Sequence, residues 1–234
     1  REFSSLSDDI NSTVSTLKRY ISEAAARIDK ELEYAKQIQL SALPTNFPEN
    51  EDFEIYAQMI AAKEVGGDFY DFFMVDDNRL ALVIADVSGK GIPAALFMMT
   101  AKTQIRNFME AGLPVGEAVD AANHQLCIGN DAGMFVTCWV GELDYDTGLL
   151  RYVNGGHNPP MLLHDGCWEW VKDVSGMPLG LFDGIPYDVH ERQLEPGDML
   201  YAYTDGVTEA QNTDGGFFEE TLMFEDGETF IEKT

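Results

Sequence analysis

Three segments of this sequence each set an aspartate where a hydrophobic run meets glycine. They are Val65-Gly66-Gly67-Asp68-Phe69-Tyr70-Asp71, Val83-Ile84-Ala85-Asp86-Val87-Ser88-Gly89-Lys90-Gly91 and Tyr201-Ala202-Tyr203-Thr204-Asp205-Gly206-Val207. A carboxylate placed there sits at the rim of a strand, beside backbone that can approach a ligand closely. One such aspartate is ordinarily a turn former. Three of them pose a physical problem, because crowded carboxylates repel and resist ionisation. Divalent cations resolve that conflict, and all-oxygen ligation suits Mg²⁺ or Mn²⁺. Asp68, Asp86 and Asp205 are therefore the candidate metal-binding and catalytic residues. Asp71 reads either as support for such a site or as a polar strand end. Lys90 does not belong to a phosphate-binding P-loop, since the earlier glycine and the following Ser or Thr are missing. His157, in Gly155-Gly156-His157-Asn158-Pro159-Pro160, reads as a turn-shaping residue, because no second histidine stands at ligand spacing.

The elements that must position these aspartates fall into two parts. Residues 8–42 read as one long helix. Ile10, Val14, Leu17, Ile21, Ala24 and Ile28 alternate steps of four and three, the a/d seam of a coiled coil. Leu32, Ala35 and Ile38 continue the seam one residue late, a stutter that locally unwinds a supercoil. The seam fits a parallel homodimer through residues 8–42, or one amphipathic helix lying on its own domain. Pro44 ends the helix. Residues 1–43 are thus expected to form a signalling linker, and 44–234 a second unit. In that unit residues 53–60, 69–75 and 80–87 are β-rich, and helices are expected over 93–110 and 115–129. Strand signals resume at 134–144, 149–153, 160–163, 167–171 and 199–204, with hairpin turns at Asp146-Thr147-Gly148 and Asp165-Gly166. Strands, two helices, then strands again argue for an α+β sandwich with antiparallel sheets.

Composition narrows the partners. The 234 residues carry 41 acidic and 15 basic side chains, a formal net charge of −26. Such a field repels nucleic acid and anionic membrane surfaces and favours cations. Cys127, Cys138 and Cys167 show no CxxC spacing and read as free thiols of a reducing cytoplasm. No apolar run approaches the ~18 residues of a membrane span.

The segments EVGGDFYDFF at 64–73, LALVIADVSGKGIPAALFM at 80–98, NGGHNPPMLL at 154–163 and YTDGVTEAQN at 203–212 closely resemble the PPM-type (protein phosphatase type 2C-like) serine/threonine phosphatases. The match is to the bacterial branch of sporulation protein E and the sigma-factor regulators, over roughly residues 44–218. The resemblance implies an α-β-β-α sandwich of two antiparallel sheets with a two-metal site at one edge. It implies two Mn²⁺ or Mg²⁺ held by Asp68, Asp86, the Val87 backbone carbonyl and Asp205. Such a pair lowers the pKa of water and neutralises phosphoryl charge. It implies further that Lys63 contacts the substrate phosphate, although a solvated lysine is the plainer reading. The implied substrate is a phosphorylated STAS-type antagonist of an anti-sigma factor. The long helix looks like the exit of a HAMP-type linker, which makes the intact protein a membrane-anchored sensor with this part in the cytoplasm. One departure stands out. The family pattern closes on an Asp-Asp-x-Thr strand, whereas this sequence ends Phe230-Ile231-Glu232-Lys233-Thr234, with Asp226 the nearest acidic candidate. Two readings stay open: a shortened catalytic domain, or a relative that has lost its last ligand and acts as a partner-binding pseudophosphatase.

Overall fold

The computed structural model describes residues 2–48, 50–60, 65–211 and 216–217. Helix α1 spans Glu2–Ser41. Its sequence holds neither glycine nor proline, and the ion pairs Arg19–Glu23 and Arg27–Glu31 brace successive turns. The helix starts earlier than the periodicity predicts and stops three residues before Pro44. Strands β1 (Phe69–Met74) and β2 (Arg79–Val87) form an antiparallel pair. Helix α2 (Ile92–Glu110) begins after Gly91, with Pro93 in its first turn, where a missing N–H costs nothing. Helix α3 (Val115–Cys127) follows. The chain then builds β3 (Val136–Asp144), β4 (Leu149–Gly155), β5 (Met161–His164), β6 (Cys167–Trp170), β7 (His190–Gln193) and β8 (Met199–Tyr201). The one-turn helix α4 covers Asp205–Thr208.

Two antiparallel sheets result, one ordered β1-β2-β3-β4-β7 and the other β6-β5-β8. Ala81, Val83, Ala85, Val136, Cys138 and Val140 face α2 and α3, where Met98, Ile105, Val119 and Leu126 complete the larger core. The opposite face of the same sheet turns Trp139, Leu150 and Tyr152 toward Leu162 and Leu200 of the smaller sheet. The expected two-sheet α+β sandwich is therefore present. Val207 of α4 packs on the small cluster that Met161 and Tyr203 form.

The structure departs from the sequence reading in three places. Residues 53–60 alternate in exposure as a strand would, yet among the described residues they join no ladder. Tyr56 and Ile60 project into solvent. Strand β7, His-Glu-Arg-Gln, escapes sequence reading because an exposed edge strand needs no apolar alternation. The strand expected over 199–204 stops at Tyr201, so Asp205 opens a helical turn. No helix of the described residues is long and apolar enough to cross a membrane, and the three cysteines are free.

Candidate metal centre

Antiparallel register brings the first two aspartates together. Phe69 pairs with Ala85, so one step further Asp68 stands opposite Asp86. Like charges in that relation are destabilising. Asp205 arrives from the smaller sheet, just after β8. Carboxylate oxygens of Asp68, Asp86 and Asp205 all lie within 4.8 Å of one another. All three side chains are half-buried.

Burial and repulsion dominate the electrostatics. Burial first, then the hydrogen bond and charge of Asp68 and the charge of Asp205, push the Asp86 carboxyl up to about 8, against the pull of Lys90. Burial and the charges of Glu209 and Asp68 also raise Asp205, again opposed by Lys90. A donor set whose members suppress one another's ionisation is one that a divalent cation relieves. The residues present thus fit a hard metal ion.

Several neighbours hold this set in place. Thr204 donates its hydroxyl to Asp68 Oδ2 at 2.8 Å, linking the two sheets across the site. His157 Nδ1 lies 2.9 Å from the Thr137 hydroxyl, which donates to the Asp86 carbonyl at 3.3 Å. Burial lowers the His157 pKa to about 4, overriding the Tyr203 backbone and the Asp68 charge, so the ring is neutral. Asn154 closes the Gly155-Gly156-His157 turn by accepting from the His157 N–H and donating to its carbonyl. The turn-shaping reading of His157 holds, and the ring also backs the site.

The predicted residues are thus not all treated alike. Asp68, Asp86 and Asp205 converge. The Val87 carbonyl lies against Gly67, where an added Cβ would meet its oxygen at 2.7 Å. Lys63 and Asp226 lie outside the described residues. Asp71 belongs to another cluster: it is buried, and it pairs with Lys102 at 2.7 Å and Arg106 at 2.9 Å. Sequence reading missed Thr204, although its place directly before Asp205 was visible, and set aside Lys90, whose charge reaches two of the three aspartates.

A two-sheet sandwich with an acidic centre at the strand ends defines a PP2C-like phosphatase domain. The family model described as Stage II sporulation protein E (SpoIIE) matches residues 76–229, and the chain belongs to that family. It is 33% identical over 199 residues to phosphoserine phosphatase RsbU of Bacillus subtilis, a match covering 82% of this chain and 57% of RsbU. It is 31% identical over 223 residues to protein IcfG of Synechocystis, covering 83% of this chain and 35% of IcfG. The crystal structure of the RsbU and RsbW domains of a Mycobacterium tuberculosis protein superposes with a TM-score of 0.61 at 32% identity. That superposition covers 71% of this chain and 46% of the other. The chain therefore spans roughly a third to a little over half of the length of these relatives.

Proposed function

We propose that this domain hydrolyses phosphoserine or phosphothreonine in a protein substrate, using two Mn²⁺ or Mg²⁺ held by Asp68, Asp86, Asp205 and the Val87 carbonyl. The observation that carries the reading is the convergence of three mutually repelling carboxylates within 4.8 Å. Its setting supports it, since RsbU bears the name phosphoserine phosphatase. Cations in this site supply Lewis-acid stabilisation and a lowered pKa for water. The chain's own groups do the rest. Thr204 fixes the Asp68 carboxylate by one hydrogen bond. Lys90 adds a positive charge that a phosphate dianion meets in an otherwise strongly acidic chain. Water forms the new bond to phosphorus and gives up one proton; the serine oxygen leaves with the old bond pair and takes up one proton, so that inorganic phosphate and a free hydroxyl result.

The test is manganese-dependent hydrolysis of p-nitrophenyl phosphate and of a phosphoserine peptide. Asp68→Asn and Asp205→Asn are expected to lower kcat/KM by about a hundredfold or more. A folded, Mn²⁺-binding but inert protein would point instead to a pseudophosphatase that docks a partner.

The substrate proposed from family membership is a phosphorylated STAS-type antagonist of an anti-sigma factor. Helix α1 supports a second part of the reading. Ile10, Val14, Leu17, Ile21 and Ile28 are exposed large apolar residues along one seam. We assign this seam to a second copy, giving a homodimer through residues 8–42 at the exit of a HAMP-type linker. In this reading the intact protein is membrane-anchored, with residues 44–234 as its cytoplasmic output. Leu17→Glu combined with Ile21→Glu is expected to yield monomers by sedimentation equilibrium; an unchanged mass would end the dimer proposal.

A further inference from the structure

The last turn of α1 reaches the metal centre through one side chain. Gln39 is 3% exposed, whereas its neighbours Ile38 and Leu40 are exposed. Its Nε2 donates to the Gly66 carbonyl at 2.6 Å, and the Gly66 N–H donates to its Oε1 at 3.2 Å. A primary amide offers a donor and an acceptor side by side, so it pairs with one residue's backbone as a neighbouring strand would. The pair spans 27 positions of sequence and ends two residues before Asp68.

What Gln39 grips is held on its other sides by the site. Gly67 packs directly on the Val87 carbonyl, with no room for a side chain. Asp68 is tied to Thr204. The segment Gly66-Gly67-Asp68 is thus clamped between α1, the end of β2 and the residue before α4. The same end of α1 is fastened independently. Leu43 enters the larger core, the Pro44 carbonyl accepts from the Tyr70 hydroxyl at 3.3 Å, and Phe47 stacks on Phe72 at 5.2 Å. Upstream, residues 10–31 are exposed throughout. The seam's one-residue slip now has a structural counterpart. Leu32 and Ala35 are half-buried while Ile38 is not. The face of α1 that carries Leu32, Ala35, Lys36 and Gln39 is the one turned away from solvent.

We propose that Gln39 is a positioning residue that holds the Gly66–Asp68 loop in the geometry on which metal affinity depends. The proposal rests on the reading of Asp68 as a metal ligand. Without these two hydrogen bonds Gly66 loses its hold on α1, and Asp68 is less firmly kept in its place opposite Asp86.

Gln39→Met keeps the length and removes both hydrogen bonds. It is expected to weaken Mn²⁺ binding about tenfold or more by isothermal titration calorimetry, the usual cost of losing a group that orients a ligand. The turnover number at saturating Mn²⁺ stays within about twofold. Gln39→Glu keeps the acceptor for the Gly66 N–H and is expected to fall between. Gln37→Met, on the exposed side of the same turn, leaves affinity unchanged. Leu43→Ala loosens the same end of α1 and lowers Tm, but affects Mn²⁺ affinity less than Gln39→Met does; the reverse order, or unchanged affinity in Gln39→Met, overturns the proposal. In the unaltered protein without metal, the Gly66 amide is expected to be protected from hydrogen exchange, and unprotected exchange there also overturns it. If the unaltered chain binds no Mn²⁺ at all, the metal-centre reading fails and takes this proposal with it; Gly66 protection would then mark a purely structural clamp.

Discussion

Asp68 and Asp71 stand on the same short segment, and the protein treats their charges in opposite ways. Asp71 is buried against α2, where the Lys102 ammonium and the Arg106 guanidinium meet its two oxygens. Arg106 also lies over the Phe73 ring at 4.3 Å and reaches Glu110. That carboxylate is fully compensated from within. Asp68 points to the other side of the strand start, toward Asp86 and Asp205, and the Thr204 hydroxyl that donates to it is neutral. Lys90 tempers that cluster but does not cancel it, since Asp86 remains pushed up to about 8. An acidic residue compensated by its own fold is serving structure. A group of acidic residues left uncompensated, at strand ends and half-open to water, is built for a cation from outside.

The sharpest way to break this contrast is to remove the compensated charge. Asp71→Ala strands a buried ammonium, which typically costs about 3–5 kcal/mol. Urea unfolding should show that loss, with Mn²⁺ affinity per folded molecule nearly unchanged. A variant that kept its stability but lost Mn²⁺ would place Asp71 with the metal centre after all.

This contrast also marks what could be read from sequence. Asp68, Asp86 and Asp205 were legible because the signal is local: a hydrophobic strand, an aspartate, a glycine. Most of the strands and the helices α1, α2 and α3 were legible for the same reason, through periodicity and turn residues. The sequence leaves Asp71 between two readings because it does not say which helix will lie across it. Lys102 and Arg106 are 31 and 35 positions away. Thr204 meets Asp68 across 136 positions, and Gln39 meets Gly66 across 27. Such contacts depend on how the sheets and α1 come together. No pattern in either partner announces them. Strand β7 was invisible because its pairing with β4 comes from backbone geometry at an exposed edge.

The uncompensated cluster makes a prediction of opposite sign. Replacing one of its charges should stabilise the metal-free protein. The Asp86 carboxyl is raised in the fold, so it penalises the native state increasingly as pH rises from its ordinary value near 4 to about 8. Each unit of pKa is worth ~1.4 kcal/mol, and partial exposure discounts the sum. In EDTA at neutral pH, Asp86→Asn should therefore be more stable than the unaltered chain by about 1–2 kcal/mol. The difference should vanish below about pH 4, where both forms carry no charge at this position. Saturating Mn²⁺ should reverse the order, because ligand at a hundred times its Kd adds ~2.7 kcal/mol to the form that binds it. Thermal melts with and without metal, across pH, give all three comparisons. If Asp86→Asn is destabilising in EDTA, the cluster is not strained and the contrast with Asp71 collapses.

A third carboxylate tests the contrast at its weak end. Asp198 is compensated as Asp71 is, but by a cation that titrates: His164 Nδ1 lies 3.0 Å from it, with the imidazole 40% exposed. The hydrogen bond and charge of Asp198 raise the His164 pKa, opposed by slight desolvation. A histidine raised in the fold adds stability that is complete below its ordinary value near 6.5 and is lost as pH climbs through the raised one. His164→Gln should therefore trail the unaltered chain in Tm at pH 6, by an amount small for so exposed a pair. The gap should close as the solution turns alkaline. A Tm gap for His164→Gln that persisted unchanged to pH 9 would mean that the ring stabilises Asp198 as a neutral hydrogen-bond donor. Compensation by charge would then be confined to the buried face of β1, where Lys102 and Arg106 close on Asp71 from α2.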